Sequence, residues 1–150
     1  MSGTSPLRPP SGTRSRVARV LVVDDDPMAL ATLVAAIAGD YEIVTEKDPG
    51  DAVARITAGA RFDVILYDLT MRGMNGAELF ARVCAISTRQ AARIVFLGGG
   101  TMPLMLAEFL SRVSNPCLQR PLDLQALRAL VVRRVAEEQA KVDPGSSRTA

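Results

Sequence analysis

At 150 residues, with 48% hydrophobic and 23% charged side chains, the chain has the size and balance of one globular domain with tails. Its net charge of +2 does not by itself argue for a nucleic-acid partner, and no apolar run is long enough to span a bilayer. With zero histidines and two cysteines, Cys84 and Cys117, the chain cannot house Ser-His-Asp or Cys-His catalysis, a structural zinc site or phosphohistidine chemistry of its own, so its chemistry must run on carboxylates, Lys/Arg, hydroxyls and backbone.

Residues 1–16 are rich in Pro, Ser, Gly and Thr, and their only charges are Arg8, Arg14 and Arg16. This composition predicts a disordered basic arm. It holds no apolar signal core, and both cysteines read as small buried hydrophobes of a reducing compartment, so a cytoplasmic location is expected. Val17 to Val23 is a β-branched run of strand length that ends on Asp24, Asp25 and Asp26 before Pro27. Asp before Pro caps a helix, predicted over 27–38 with Leu30, Leu33, Val34 and Ile37 inward and Gly39 as the stop. Tyr41 to Thr45 is a short second strand. A second helix over 49–58, capped by Asp48, points Ala52, Val53 and Ile56 inward and stops at Gly59.

Phe62 to Asp68 is a third strand, followed at once by a loop that closes on an Asn75-Gly76 turn. A third helix is predicted over 77–86 and a fourth strand over 93–97, running into Gly98, Gly99 and Gly100. A fourth helix follows over 102–113, then a short strand over 117–119 and a last helix over 122–139 with Leu124, Leu127, Leu130, Val131 and Val135 inward. The folded part is thus expected over 17–140, with 141–150 a disordered polar tail. Five strand–helix repeats with near-continuous apolar strands predict an α/β fold of the flavodoxin-like, doubly wound (βα)5 kind. Its five-stranded parallel sheet would have strand order 2-1-3-4-5.

In such a sheet ligands sit at the C-terminal edge, where strand order reverses. Strands one and three are neighbours there, and they end on Asp24 and Asp25 and on Asp68. Crowded anions repel unless a cation joins them, and hard carboxylate oxygens without Cys or His select Mg²⁺ or a similar ion.

The run from Leu21 to Pro27, the run from Phe62 to Met71 with Gly73-Met74-Asn75-Gly76, and Arg120-Pro121-Leu122-Asp123 after strand five together resemble the receiver domains of two-component response regulators. The resemblance covers about residues 17–135. It implies that Asp68 is the phosphoacceptor, attacking a phosphohistidine on a histidine kinase or phosphotransfer protein. It further implies that Asp24 and Asp25 hold Mg²⁺ with Asp68 and the backbone carbonyl of Thr70. On this reading the chain is a stand-alone signalling domain rather than an enzyme, a self-phosphorylating phosphoacceptor at most. A downstream protein partner would bind the face of helix four, strand five and helix five (α4-β5-α5), with no DNA-binding module of its own and a homodimer left open.

The positions that read the phosphate depart from the family pattern. Gly98 stands where a Thr or Ser is usual, Arg120 where Lys is usual, and Cys117 where an aromatic switch residue is usual. Arg72 replaces a common Pro in the loop after Asp68, and Thr101 is the nearest hydroxyl to Gly98. Arg keeps the charge of Lys but is planar and inclined to bidentate pairing, so Arg120 is expected either to bind the phosphate or to clamp Asp68. A lost phosphate contact weakens switching, which leaves a second reading: a phosphorylation-independent pseudo-receiver used as an interaction scaffold.

Overall fold

The computed structural model describes residues 16–142; residues 1–15 and 143–150, which take in most of the expected arm and tail, lie outside the described residues. Five strands, β1 (Ala18–Val23), β2 (Tyr41–Glu46), β3 (Val64–Asp68), β4 (Ile94–Gly98) and β5 (Cys117–Gln119), form one sheet. The helices are α1 (Pro27–Ile37), α2 (Pro49–Thr57), α3 (Gly76–Ile86), α4 (Leu104–Arg112) and α5 (Leu124–Val142), with a single helical turn at Thr88–Ala91 after α3. The strands run parallel in the order β2-β1-β3-β4-β5, as the strand–helix alternation requires.

Alternate residues along each central strand feed opposite faces. Leu21, Val23, Ile65, Tyr67, Ile94 and Phe96 pack against α2, α3 and α4. Val20, Val22, Val64, Leu66, Val95 and Leu97 pack against α1 and α5 through Leu33, Ile37, Leu127 and Val131. Both faces are covered, which is why these strands read as continuous apolar runs. Each fully buried aliphatic side chain contributes about 1.5–3 kcal/mol of transfer free energy. Phe109 of α4 meets both Phe80 of α3 and Phe96 of β4 edge-on, with ring centroids 5.5 Å apart in each pair.

Local chemistry starts the helices. The Asp26 and Asp48 carboxylates accept the Met28 and Gly50 N–H groups at 3.0 and 2.7 Å, and each is followed by Pro at the first helical position. Asn75 and Glu78 form a reciprocal capping box. Asn75-Gly76 is therefore the cap and first residue of α3 rather than a separate turn. Gly76 is required there: a Cβ would stand 2.5 Å from Leu69 Cδ1 and 2.9 Å from Phe96 Cε1.

Several boundaries differ from the sequence expectation. Helix α1 stops at Ile37, before Gly39, because Ala38 is already extended. Helix α4 begins at Leu104, with Pro103 at its N-cap and no side-chain cap. Helix α5 begins at Leu124, where the Asp123 carboxylate accepts the Gln125 and Ala126 N–H groups, and it continues to Val142. Leu124 is 40% exposed rather than inward, since it occupies the first turn of α5 and lines a surface cavity with Ala29 and Thr32 of α1. Val34 and Val53 are half-buried.

At the opposite edge of the sheet, where the strands begin, the fold is closed by ion pairs. Asp63 is fully buried and takes two hydrogen bonds from the Arg16 guanidinium, at 2.9 and 2.6 Å, and one from the Arg19 N–H at 2.8 Å. Arg93 is 2% exposed; it donates to the carbonyls of Asp63 and Arg134 and stands 3.5 Å from Glu138. Glu138 also accepts from Arg89 at 2.8 Å, and Gln139 donates to the Arg16 carbonyl.

Candidate functional site

Val23 of β1 lies in register with Tyr67 of β3, so the next residues, Asp24 and Asp68, end adjacent strands side by side. With Asp25 they form a cluster in which one carboxylate oxygen from each lies within 4.8 Å of the others. Asp24 is buried, Asp68 half-buried and Asp25 exposed. Burial pushes the Asp24 carboxyl above its usual range. The Asp26 N–H, which donates to it at 3.0 Å, opposes that rise; the nearby Asp68 and Asp25 charges add to it, and Arg120 opposes it. The pocket therefore stores charge repulsion that a cation would relieve. Its ligands are all hard oxygens, and the donor set fits Mg²⁺.

Thr70 touches Asp68 through donors: its N–H and its hydroxyl approach Asp68 Oδ1 at 3.0 and 3.2 Å. The hydroxyl contact was not legible in the sequence, which pointed only to the Thr70 carbonyl. The loop that carries Thr70 is fixed from below. The buried Tyr67 hydroxyl donates to the Met74 carbonyl at 2.6 Å, and burial pushes the phenol well above its usual range. A Tyr in an otherwise aliphatic strand was the available signal, because a buried hydroxyl must find a partner. Gly73, at φ +83°, supplies the left-handed residue this loop needs.

Arg120 is placed by the sheet. Gly98 pairs with Gln119, and the Arg120 N–H donates to the Gly98 carbonyl at 2.6 Å. Its Nη2 stands 3.2 Å from Asp24 Oδ2 and 3.8 Å from Asp68 Oδ2. One guanidinium thus bridges both strand-end acids, and its hydrogen bond goes to Asp24. The stem runs beside Gly99, where a Cβ would be in ordinary contact with Arg120 Cδ at 3.4 Å.

Gly98 and Cys117, the positions expected to act as the switch, face one another. A Cβ on Gly98 would lie 3.3 Å from Met102 Cε, 3.4 Å from Cys117 Sγ and 3.6 Å from Leu69 Cδ2. The space beside Gly98 is therefore closed by Met102 and Cys117. Burial pushes the Cys117 thiol up, so it behaves as an apolar side chain. Thr101 is exposed and lies in the loop before α4.

A family model, response regulator receiver domain, matches residues 20–132. The chain belongs to this family. Among relatives, the transcriptional regulatory protein LiaR of Bacillus subtilis is 37% identical over 68 residues, which is 44% of this chain and 32% of LiaR. The transcriptional regulatory protein GlrR of Escherichia coli is 29% identical over 111 residues, 73% of this chain and 24% of GlrR. The chain thus spans about a third or less of these relatives. The CheY-like receiver domain protein of Methanospirillum hungatei superposes with a TM-score of 0.70 at 19% identity, over 84% of this chain and 99% of that one. A receiver domain protein of Clostridium thermocellum gives 0.71 at 20%, over 83% and 98%. A receiver is a signalling domain, and no described helix of this one is long and apolar enough to cross a membrane.

Proposed function

We propose that this receiver accepts a phosphoryl group on Asp68 from a phosphohistidine of a histidine kinase or phosphotransfer protein in the cytoplasm. An Asp68 carboxylate oxygen attacks phosphorus and the phosphorus–nitrogen bond breaks. Its electron pair stays on the donor imidazole, giving an aspartyl phosphate on Asp68. Asp24, Asp25, Asp68 and the Thr70 carbonyl would hold Mg²⁺, which when bound offsets charge on the phosphoryl oxygens. The observation that carries this reading is the convergence of Asp24, Asp25 and Asp68 at the ends of adjacent strands. Thr70 orients Asp68 through its two donors, and Arg120 supplies positive charge beside Asp24 and Asp68. Output would pass to a protein partner through the α4-β5-α5 face.

The Gly98–Cys117–Met102 contact favours a second reading. A hydroxyl at Gly98 would read the phosphate; here apolar atoms close that position, and the coupling of Asp68 to α4 and β5 loses a charge-assisted contact. Such a contact is worth on the order of 1.5–3 kcal/mol. The chain would then act as a phosphorylation-independent scaffold on the same face. Beryllofluoride with Mg²⁺ separates the two. The phosphoacceptor reading expects amide shifts around Asp68 that vanish in Asp68→Asn, whereas the scaffold reading expects partner binding unchanged by either.

A further inference from the structure

We propose that Lys47 and Arg72 form an anion subsite at the mouth of the acid pocket, which binds the phosphate oxygens of the incoming phosphodonor; this rests on the reading of Asp68 as phosphoacceptor. The two cations come from different elements and line one cavity of about 420 Å³ together with Asp25, Asp48, Pro49, Gly50, Gly73 and Met74. Their convergence follows from the sheet. Glu46 pairs with Val23, and its carbonyl accepts the Asp24 N–H at 3.2 Å, so Lys47 leaves β2 alongside the acids of β1. Arg72 sits in the loop that the Tyr67 hydroxyl anchors through Met74, one residue before the left-handed Gly73.

Both side chains are available. Among the described residues neither forms an ion pair, although Asp25 lines the same cavity. Two neighbouring acids have other partners: Asp48 caps α2 through the Gly50 N–H, and Glu46 pairs with Arg55. Arg120 is committed to Asp24, and Gly98 offers no hydroxyl. Lys47 and Arg72 are thus the cations at this mouth that can meet an arriving anion, and Mg²⁺ bound at Asp25 would make the mouth more positive. A tetrahedral phosphate dianion suits them, since a guanidinium can take two of its oxygens and an ammonium a third.

Two measurements test this on the full chain. Titration with inorganic phosphate in the presence of Mg²⁺, followed at the Gly50 and Gly73 amides, reads the subsite directly; acetyl phosphate transfer to Asp68, followed by intact mass, reads its use. The wild type is expected to show saturable shifts at both glycines. The Lys47→Ala/Arg72→Ala double variant, altered only at exposed side chains, is expected to bind phosphate about tenfold more weakly. It is also expected to need about tenfold more acetyl phosphate for half-maximal rate, with the rate at saturation unchanged. Shifts that are absent, or identical in wild type and double variant, overturn the subsite whether or not Asp68 is modified. Where Asp68 is modified, an acetyl phosphate dependence unchanged in the double variant overturns it as well. Saturable shifts that the double variant loses, with Asp68 unmodified in every sample, support the subsite and overturn the phosphoacceptor reading instead.

Discussion

At Gly98 the absent hydroxyl is replaced by contacts, not by a void. Introducing Ser there brings its Cβ within 3.3 Å of Met102 Cε and 3.4 Å of Cys117 Sγ. Met102 is flexible and partly exposed, so Gly98→Ser is expected to cost only about 1 kcal/mol, checked by denaturant midpoint. If the lost hydroxyl limits switching, the same variant shows larger beryllofluoride-induced shifts in α4 than the wild type. Arg120 competes with any cation for Asp24 and Asp68. Arg120→Ala is expected to raise Mg²⁺ affinity roughly fivefold, for about 1 kcal/mol of relieved competition at a partly exposed charge. The sign of the pH dependence follows from Asp24. Its folded-state carboxyl is raised above 3.8, so the folded chain holds that proton more tightly than the unfolded chain. Metal-free stability from this group is therefore lost as pH rises from about 4 through the folded value. Asp24→Asn is expected to flatten that fall and to abolish stabilisation by Mg²⁺, both readable in thermal melts across pH. The three acids were legible because strand ends are legible. The filling of Gly98 by Met102 and the seat of Arg120 on Gly99 were not, since each joins residues of different elements that only packing brings together.

Among the elements, those that read well from sequence are those whose ends carry their own chemistry. Asp26-Pro27 and Asp48-Pro49 announce α1 and α2 through caps that need nothing beyond the next two residues. The turn at Thr88–Ala91 was missed because its cap, Ser87, sits directly after α3 in what looked like a plain connection. Its buried Gln90 exchanges hydrogen bonds with the Phe62 backbone at 2.8 and 2.9 Å, a tertiary contact with no local signature. The late turns of α5 gave a similar surprise: Glu138 continues the apolar stripe of Leu127, Val131 and Val135, yet it is buried against Arg89 and Arg93. Two substitutions test this level. Gly76→Ala drives a Cβ into Leu69 and Phe96 at the start of α3 and is expected to cost about 2–3 kcal/mol. Asp63→Ala leaves the Arg19 N–H unpaired and removes the partner of the half-exposed Arg16 guanidinium, and is expected to cost about 1–3 kcal/mol. Both are read as a shift of urea midpoint at unchanged slope.

Over the whole molecule, the two edges of the sheet do opposite work. At the strand starts, the buried acids Asp63 and Glu138 are each met by arginine, Asp63 by the half-exposed Arg16 and Glu138 by Arg89 and the buried Arg93, and the Glu138 pairs tie α5 to the sheet. At the strand ends, three acids gather with one bridging arginine, and their mutual repulsion is left for a ligand to relieve. Binding of Mg²⁺ to the native pocket alone is expected to stabilise the fold by about 1.4 kcal/mol at tenfold its dissociation constant. The most direct test is incubation with acetyl phosphate and Mg²⁺, followed by intact mass and peptide mapping. The account predicts one phosphoryl group, on Asp68, lost in Asp68→Asn and when Mg²⁺ is chelated. A wild-type chain that gains no phosphoryl group, or gains it on another residue, would contradict it.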